Sequence, residues 1–331
     1  DHAPLAQRPI CLLPLIYRLW AAARGALLKE WFREHGHASA WGQGAGRGAD
    51  TAAWVGAVEA EIAAAQGDAA YGLFVDCEKC YDHVDLDLLV REGVQHGVSR
   101  LVAIAVAQYS SSRMVRWAGA VGRQVWPTSG IPAGCPLANG LLHLFLWRAM
   151  RRTAGDIAPG RLRTYVDDWR ILVTGSRRRA AVGVVEAFRV AQAQLTAQRM
   201  VVSTTKTVFL ASGKESRAAL RQAAGPLVGM VGLRVRDLGV DQSLGANWVR
   251  PGQTARVQTA VQAARRIARL PLGWKGRGHM LVALVKAQFQ WGLDVSGLSP
   301  TTLRTLQHWM VFAATGGHAA RRAPEVTLAL A

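Results

Sequence analysis

The sequence predicts an α+β fold with an antiparallel sheet and a helical C-terminal region, on three observations. Tyr71-Gly72-Leu73-Phe74-Val75 is a short continuous apolar run that stops abruptly at Asp76, as a strand buried on both faces does. Thr164-Tyr165-Val166 and Trp169-Arg170-Ile171-Leu172-Val173 are both strand-like and are separated only by Asp167-Asp168, which reads as a hairpin. Beyond residue 246 the pattern turns helical throughout. Candidate helices cover 254–269, 279–293 and 301–314, separated by Pro271-Leu272-Gly273 and by Gly297 to Pro300. A boundary near residue 246 therefore divides 1–245 from a helical 246–331, and no internal repeat is present.

The remaining elements follow from spacing and punctuation. Residues 10–20 form an apolar stretch broken by Pro14, and residues 35–50, rich in Gly, Ala and Ser, read as loop. A helix then starts at Asp50 or Thr51, either of which can cap it. Trp54, Val58 and Ile62 give it one buried stripe, and Gly67 can end it. Residues 180–199 are predicted helical, with Val184, Val185, Phe188, Ala191 and Leu195 on the buried face.

At 331 residues, 50% of them hydrophobic, the chain can bury a sizeable core, as two domains or one with subdomains. Lys+Arg number 40 against 22 Asp+Glu, a net charge of +18. That surplus favours a polyanionic partner, nucleic acid first, although a solvated basic surface or a ribosomal or membrane-facing role would carry the same charge. No uninterrupted apolar run reaches the ~18 residues of a membrane span, so a soluble chain without a membrane partner is expected. No signal peptide is visible and the text opens at Asp1, as an excerpt of a longer polypeptide would. An intracellular setting is expected, the nucleus in a eukaryotic host; oligomeric state is left open. Four cysteines, Cys11, Cys77, Cys80 and Cys135, are too few for a disulfide scaffold. Cys77 and Cys80 spell CxxC, but no second pair follows at zinc-ligand spacing, which leaves two ordinary residues.

Two strand ends thus carry acids, Asp76 on one and Asp167 with Asp168 on the other. Adjacent antiparallel strands would bring them together as a hard-cation site, and oxygen ligands with room for phosphate and water suit Mg²⁺ better than Zn²⁺. An acidic hairpin tip is costly without a cation. Short Asp side chains would pin metal ions close to rigid backbone, where phosphoryl transfer needs positioning more than covalent chemistry.

These residues also carry a family resemblance. Phe74-Val75-Asp76-Cys77-Glu78-Lys79-Cys80-Tyr81-Asp82 resembles the first catalytic motif of reverse transcriptases, and Tyr165-Val166-Asp167-Asp168 resembles their YxDD motif. Between them, Gly130-Ile131-Pro132-Ala133-Gly134-Cys135-Pro136-Leu137 is similar to the GxPQGxPLSP segment that positions template and incoming nucleotide. Arg8-Pro9-Ile10-Cys11-Leu12-Leu13 followed by Tyr17-Arg18-Leu19 resembles the RPISLL…YK fingers segment of non-LTR (LINE-type) retrotransposon enzymes. Ser203 to Thr207, with Lys206, resembles the palm motif whose lysine meets pyrophosphate, and Val231-Gly232 the small turn that grips the primer. The resemblance covers residues 8 to about 235, with the blocks in the family's order.

The resemblance implies a right-hand polymerase: fingers and palm over 1–245, the catalytic palm at about 71–90 and 126–245, and a helical thumb over 246–331. It implies an RNA-directed DNA polymerase with RNA template, DNA primer and dNTPs as partners and Mg²⁺ as cofactor, two ions, Mn²⁺ being an alternative. Asp76, Asp167 and Asp168 would be the catalytic metal ligands and Lys206 a catalytic cation at the leaving group. Arg8 would grip the triphosphate, Tyr81 would gate the sugar 2′ position, and Gly134 and Arg47 would line the substrate site. Pro132 and Gly232 would face template and primer. The chain departs from the pattern at Ala133, where the family usually has Gln, at Ala138-Asn139 in place of Ser-Pro, and at Gly44 in place of the first Arg of GFRxGRST. A catalytically inactive nucleic-acid-binding remnant therefore stays as an alternative. An RNA-dependent RNA polymerase is a lesser one, since such enzymes usually read GDD at the hairpin and Asp at the Tyr81 position.

Other features have plainer readings. Gly42 to Gly48 follows no strand of a βαβ unit and reads as a fingers loop. Asp82-His83 has no nucleophile in a tight elbow beside it and reads as a surface pair. The 12 Trp read mostly as packing. Arg177-Arg178-Arg179 and the set Arg265, Arg266, Arg269, Lys275 and Arg277 either track a nucleic-acid backbone or form solvated faces.

Overall fold

The computed structural model describes residues 11–42, 47–225, 230–244 and 251–317. The chain divides into two compact units, one of residues up to Ala52 and Ile62–Gly232, the other of Ala53–Glu61 and residues from Leu233 on. The boundary expected near residue 246 falls among residues outside those described.

The first unit is built on a six-stranded sheet. Its strands are β1 (Ala40–Trp41), β2 (Ala69–Val75), β5 (Arg161–Tyr165), β6 (Asp168–Gly175), β7 (Val208–Ala211) and β8 (Met230–Gly232), in spatial order β1-β5-β6-β2-β7-β8. The central pairs β5–β6, β6–β2 and β2–β7 are antiparallel, while β1 and β8 join the edges in parallel. A separate two-stranded hairpin, β3 (Arg116–Trp117) and β4 (Ala120–Val121), lies between the helices described next. These are α1 (Leu15–His35), α2 (Ala49–Ala65, of which Ala53–Glu61 belongs to the second unit), α3 (Leu86–Gln95), α4 (Ser99–Tyr109), α5 (Ala138–Asp156), α6 (Arg177–Ala197) and α7 (Lys214–Ala224).

Side-chain alternation decides what each sheet face does. Leu73 and Val75 of β2, Trp169, Ile171 and Val173 of β6, and Phe209 of β7 all enter the main core. Phe74 and Arg170 are register partners on the opposite face. α5 is buried through Leu141–Trp147, and α6 through Val184, Val185, Phe188, Ala191 and Leu195, the face its sequence predicts. The stripe predicted for α2 differs: Trp54 and Ile62 are 45% and 50% exposed, whereas Ala52, Ala53, Ala60 and Ala63 are buried. An alanine face leaves the helix backbone open to neighbouring side chains, and the Arg170 guanidinium donates to the Ala52 carbonyl at 3.1 Å. Nor does Asp50 or Thr51 cap that helix, whose N-cap is Gly48.

The second unit contains a small antiparallel ribbon, β9 (Val235–Asp237) with β10 (Val240–Gln242). Its helices are α8 (Pro251–Ala268), α9 (Trp274–Met280), α10 (Ala287–Gln290), α11 (Leu293–Ser296) and α12 (Pro300–Ala314), with a π-helical segment Leu281–Lys286 joining α9 to α10. Ser299 caps α12, accepting from the Thr302 N–H at 3.1 Å with Pro300 at the first helical position. Val257, Ala260, Ala264, Leu281, Val285 and Leu306 form the core of these helices, and the Arg265 guanidinium lies 4.1 Å from the centre of the Trp309 ring. No helix among the described residues is long and apolar enough to cross a membrane.

One core residue makes the first unit acid-sensitive. His143 on α5 is 2% exposed, packs against Phe32 and Trp147, and leaves both ring nitrogens without a partner. Burial pushes its pKa from 6.5 down to about 4, and His37 and His96 shift the same way, chiefly through burial. A depressed histidine leaves the folded state holding fewer protons than the unfolded one. The neutral ring's contribution is thus complete above the unfolded value and falls away as pH drops from 6.5 towards 4. Urea unfolding at pH 7.5 and pH 5 should show His143→Leu losing about 2 kcal/mol less than wild type between the two conditions. Equal losses would contradict this account.

Candidate active site

The register of β2 and β6 builds the acidic cluster. Val75 pairs with Trp169 in the last step of the ladder, so Asp76, one residue further, stands in line with Asp168 across a strand spacing of ~5 Å. Alternation puts both on the face opposite Val75 and Trp169, which enter the core. The hairpin turn is Val166-Asp167, one residue earlier than the sequence suggested, and Asp168 is the first residue of β6. Val166 adopts φ +58°, a left-handed conformation that a β-branched residue avoids. Its side chain is 8% exposed and belongs to the main core. That burial holds the strained tip in place and fixes where Asp167 is displayed.

Asp76 is clamped by backbone on its other side. The Ser203 N–H donates to the Asp76 carbonyl at 2.8 Å, the Asp76 N–H donates to Thr207 Oγ1 at 3.4 Å, and Cys77 bridges to Val202. Ser203 and Thr207 are each 1% exposed. The same loop carries Lys206, whose Nζ lies 3.9 Å from Asp76 Oδ2. Cys80 sits beneath the cluster: contact with the Cys77 thiol and burial push its pKa up, and the negative charges of Asp167 and Asp76 push it further. Both carboxylates therefore act on one buried atom, and Cys77 and Cys80 are free buried thiols.

The Gly130–Leu137 segment is tied to this assembly. The Gly130 N–H donates to the Val84 carbonyl and the Ile131 N–H to the Tyr81 carbonyl, both at 2.8 Å. Gly130 has φ +95°, and a Cβ there would meet the Asp82 carbonyl oxygen at 3.2 Å. Gly134 has φ +98°, beside the Cys11 backbone. Pro132 is buried, and the Cys11 N–H donates to the Ala133 carbonyl at 3.2 Å. Cys135 is the anchor of the loop: its Sγ lies 3.4 Å from the Tyr17 hydroxyl and 3.0 Å from the Tyr109 hydroxyl. The Tyr81 hydroxyl donates to Asn139 Oδ1 at 2.6 Å, so the departure at Asn139 is a partner of Tyr81.

Other expected residues stand elsewhere. Arg47 donates to the backbone carbonyls of His37 and Ala40 at 2.7 and 2.8 Å and lies over the Trp41 ring, so it braces the loop around β1. Gly232 pairs with Leu210 at the end of β8. Arg8 and Gly44 lie outside the described residues. Sequence reasoning did not single out Thr207, or Asn139 as a partner of Tyr81, because both bonds join residues remote along the chain.

The donor set suits a hard divalent cation. Asp76 Oδ2 is buried yet has no hydrogen-bond partner, although the Asp76 backbone is fully engaged. Among the described residues no group of three or more His, Cys, Asp and Glu is placed to hold a metal ion, so the expected set of Asp76, Asp167 and Asp168 does not converge as three ligands; one or two carboxylates would leave the rest of a Mg²⁺ shell to waters and substrate phosphates.

An antiparallel palm-like sheet with acids on neighbouring strand ends defines the right-hand polymerase class. The sequence matches the family described as reverse transcriptase (RNA-dependent DNA polymerase) over residues 4–242. The chain belongs to that family, which places it among the nucleotidyltransferases. Similar solved structures include telomerase from Candida tropicalis in complex with the TWJ fragment of telomeric RNA, at 10% identity and TM-score 0.51, covering 95% of this chain and 56% of that one. The apo telomerase from Candida tropicalis aligns at 10% identity and TM-score 0.51, covering 91% of this chain and 54% of that one. The chain thus spans about half the length of these telomerases, and the likeness is one of fold. No curated protein matches the sequence.

Carboxylates held on neighbouring strand ends repel one another unless a cation lies between them. Mg²⁺ at millimolar concentration should raise the melting temperature of the wild-type chain. Asp76→Asn should melt no lower than wild type in metal-free buffer and should lose most of the Mg²⁺ increment. Differential scanning fluorimetry reads both, and an undiminished increment in the variant would count against Asp76 as a ligand.

Proposed function

We propose that this chain is the polymerase core of a non-LTR (LINE-type) reverse transcriptase, extending the 3′ end of a DNA primer with dNTPs on an RNA template. The observation that carries the reading is the pair of strand-end carboxylates, Asp76 and Asp168, facing each other across β2 and β6 with Asp167 at the adjoining turn. The fingers-like text from Arg8 to Leu19 supports the LINE-type assignment, and an intracellular, nuclear setting accords with it.

Asp76, Asp167 and Asp168 would hold two Mg²⁺ ions, or Mn²⁺ in their place. When bound there, such ions would supply a lowered pKa for an attacking hydroxyl and charge neutralisation for a leaving pyrophosphate. Lys206, already 3.9 Å from Asp76, supplies a mobile cation and a proton donor to the leaving group. Tyr81 is held by the Asn139 amide, so its ring is fixed where a sugar 2′ substituent would collide with it. Gly134 and Pro132 shape the wall beside the incoming nucleotide and template, Arg8 grips the triphosphate, Arg47 braces the fingers loop, and Gly232 lies against the primer. The helices after residue 246 act as the thumb.

Primer extension on an RNA template with Mg²⁺ tests the proposal. Wild type should incorporate dNTPs, and Asp167→Asn should lose at least about 100-fold in rate. Tyr81→Ala should raise rNTP incorporation, with a smaller shift in the same direction for Asn139→Ala. Undiminished extension by Asp167→Asn rejects the site. Retained RNA binding with no extension by wild type supports the inactive remnant suggested by Ala133, and preference for rNTPs with Tyr81 intact supports an RNA polymerase.

A further inference from the structure

Between Glu92 and Asp156 the chain contains no acidic residue, and its only formally charged side chains there are arginines. In the middle of this stretch, between α4 and the Gly130–Leu137 segment, stands the β3–β4 hairpin. It is a preorganised object. Ala118 and Gly119 at its turn have φ +46° and +85°, the pair of positive values that a tight two-residue turn requires. Backbone bonds continue below the turn, from the Gly122 N–H to the Val115 carbonyl at 2.8 Å and in both directions between Arg113 and Val125 at 2.8 and 2.9 Å.

Among the described residues almost nothing covers it. Met114 is 65% exposed, Val115 60%, Val121 52% and Trp126 66%. Arg116 and Arg123 are exposed, and among the described residues no carboxylate pairs with either. A two-stranded hairpin with this much bare apolar surface is marginal in water, and a patch of this kind marks a binding site. Its base leads to the polymerase centre: Ser129 bridges to Asp85, and Gly130 and Ile131 bond the backbone of Val84 and Tyr81, beyond the cation-binding Asp76.

We propose that the Arg113–Trp126 hairpin is a binding arm for single-stranded RNA, its arginines meeting phosphates and Trp126 stacking on an unpaired base. The ligand class follows from the chemistry. Exposed arginines that pair with no carboxylate among the described residues favour a polyanion, while exposed apolar and aromatic groups are covered by the faces of unstacked bases, which a duplex hides. A second copy of this chain, itself +18, is disfavoured by like charge. The inference rests on the polymerase reading only in taking RNA as the natural strand, and it assigns the hairpin to unpaired template beside the catalytic centre.

Fluorescence anisotropy with a labelled 20-nucleotide single-stranded RNA, across a salt titration of the full chain, tests it. Arg116→Gln/Arg123→Gln should weaken binding about tenfold or more at low salt and reduce the slope of log affinity against log salt by roughly 1.4, two released counterions at ~0.7 each. Trp126→Ala should weaken binding at least about fivefold without altering the salt slope, while blunt duplex binding changes little. Circular dichroism spectra matching wild type show that these surface variants fold; should one not, Trp126→Leu, which keeps apolar bulk but not the stacking face, tests the same contact. Unchanged RNA affinity in all variants overturns the arm. So does a loss confined to single-stranded DNA or to anionic lipid vesicles, or a shift from dimer to monomer in sedimentation with RNA affinity intact. The readout is binding, so primer extension by variants that bind RNA as wild type does would overturn the arm alone, whereas hairpin-dependent binding without any extension would overturn the polymerase reading alone.

Discussion

The constraint on which the structure turns is electrostatic: acids on neighbouring strand ends must be held together against their own repulsion. Backbone does the holding. The β2–β6 ladder sets Asp76 in line with Asp168, and the Val201–Thr207 loop fastens the Asp76 backbone through Ser203 and Thr207 and the neighbouring Cys77 through Val202. Burial of Val166 keeps the hairpin tip in a conformation its side chain resists. These restraints act on the main chain and leave the Asp76 Oδ2 without a hydrogen-bond partner among the described residues, facing only the Lys206 ammonium at 3.9 Å. Held this way, the carboxylates are arranged as the proposed metal-dependent centre would require.

The sheet serves this centre through its two unlike faces. One face, with Leu73, Val75, Trp169, Ile171 and Phe209, enters the helix-backed core. The other carries Asp76, Phe74, Arg170 and Asp168. A shift of one residue in the β2–β6 register would bury the acids and expose the core, so the hydrophobic pattern that folds the sheet also places the chemistry. The Gly130–Leu137 loop joins by different means, through two left-handed glycines and the Tyr17–Cys135–Tyr109 contacts.

Much of this was legible in the sequence, and what was not has identifiable causes. The Tyr71–Val75 run and the helix of residues 177–197 could be read because burial and period agree there. The helices over 254–269 and 301–314 are likewise local patterns, whereas the span expected as one helix over 279–293 is divided among α9, the π-helical segment, α10 and α11. The hairpin turn was misplaced by one residue because a valine at positive φ contradicts its own propensity, and only tertiary burial explains it. The buried face of α2 was misjudged because small alanines, and not Trp54 or Ile62, make the close contact. Thr207 against Asp76, and Asn139 against Tyr81, are bonds between distant segments that no local pattern announces. Arg47, assigned to substrate by resemblance, braces backbone carbonyls, a role equally invisible in one dimension.

The position of the metal tests the central claim most directly. Crystals of the chain grown with Mn²⁺, primer–template and a non-hydrolysable nucleotide, measured at the manganese absorption edge, should show two anomalous peaks about 4 Å apart, each within coordination distance of Asp76 or Asp167. Manganese bound elsewhere, or Asp76 and Asp167 too far apart to share a pair of ions, would contradict the account.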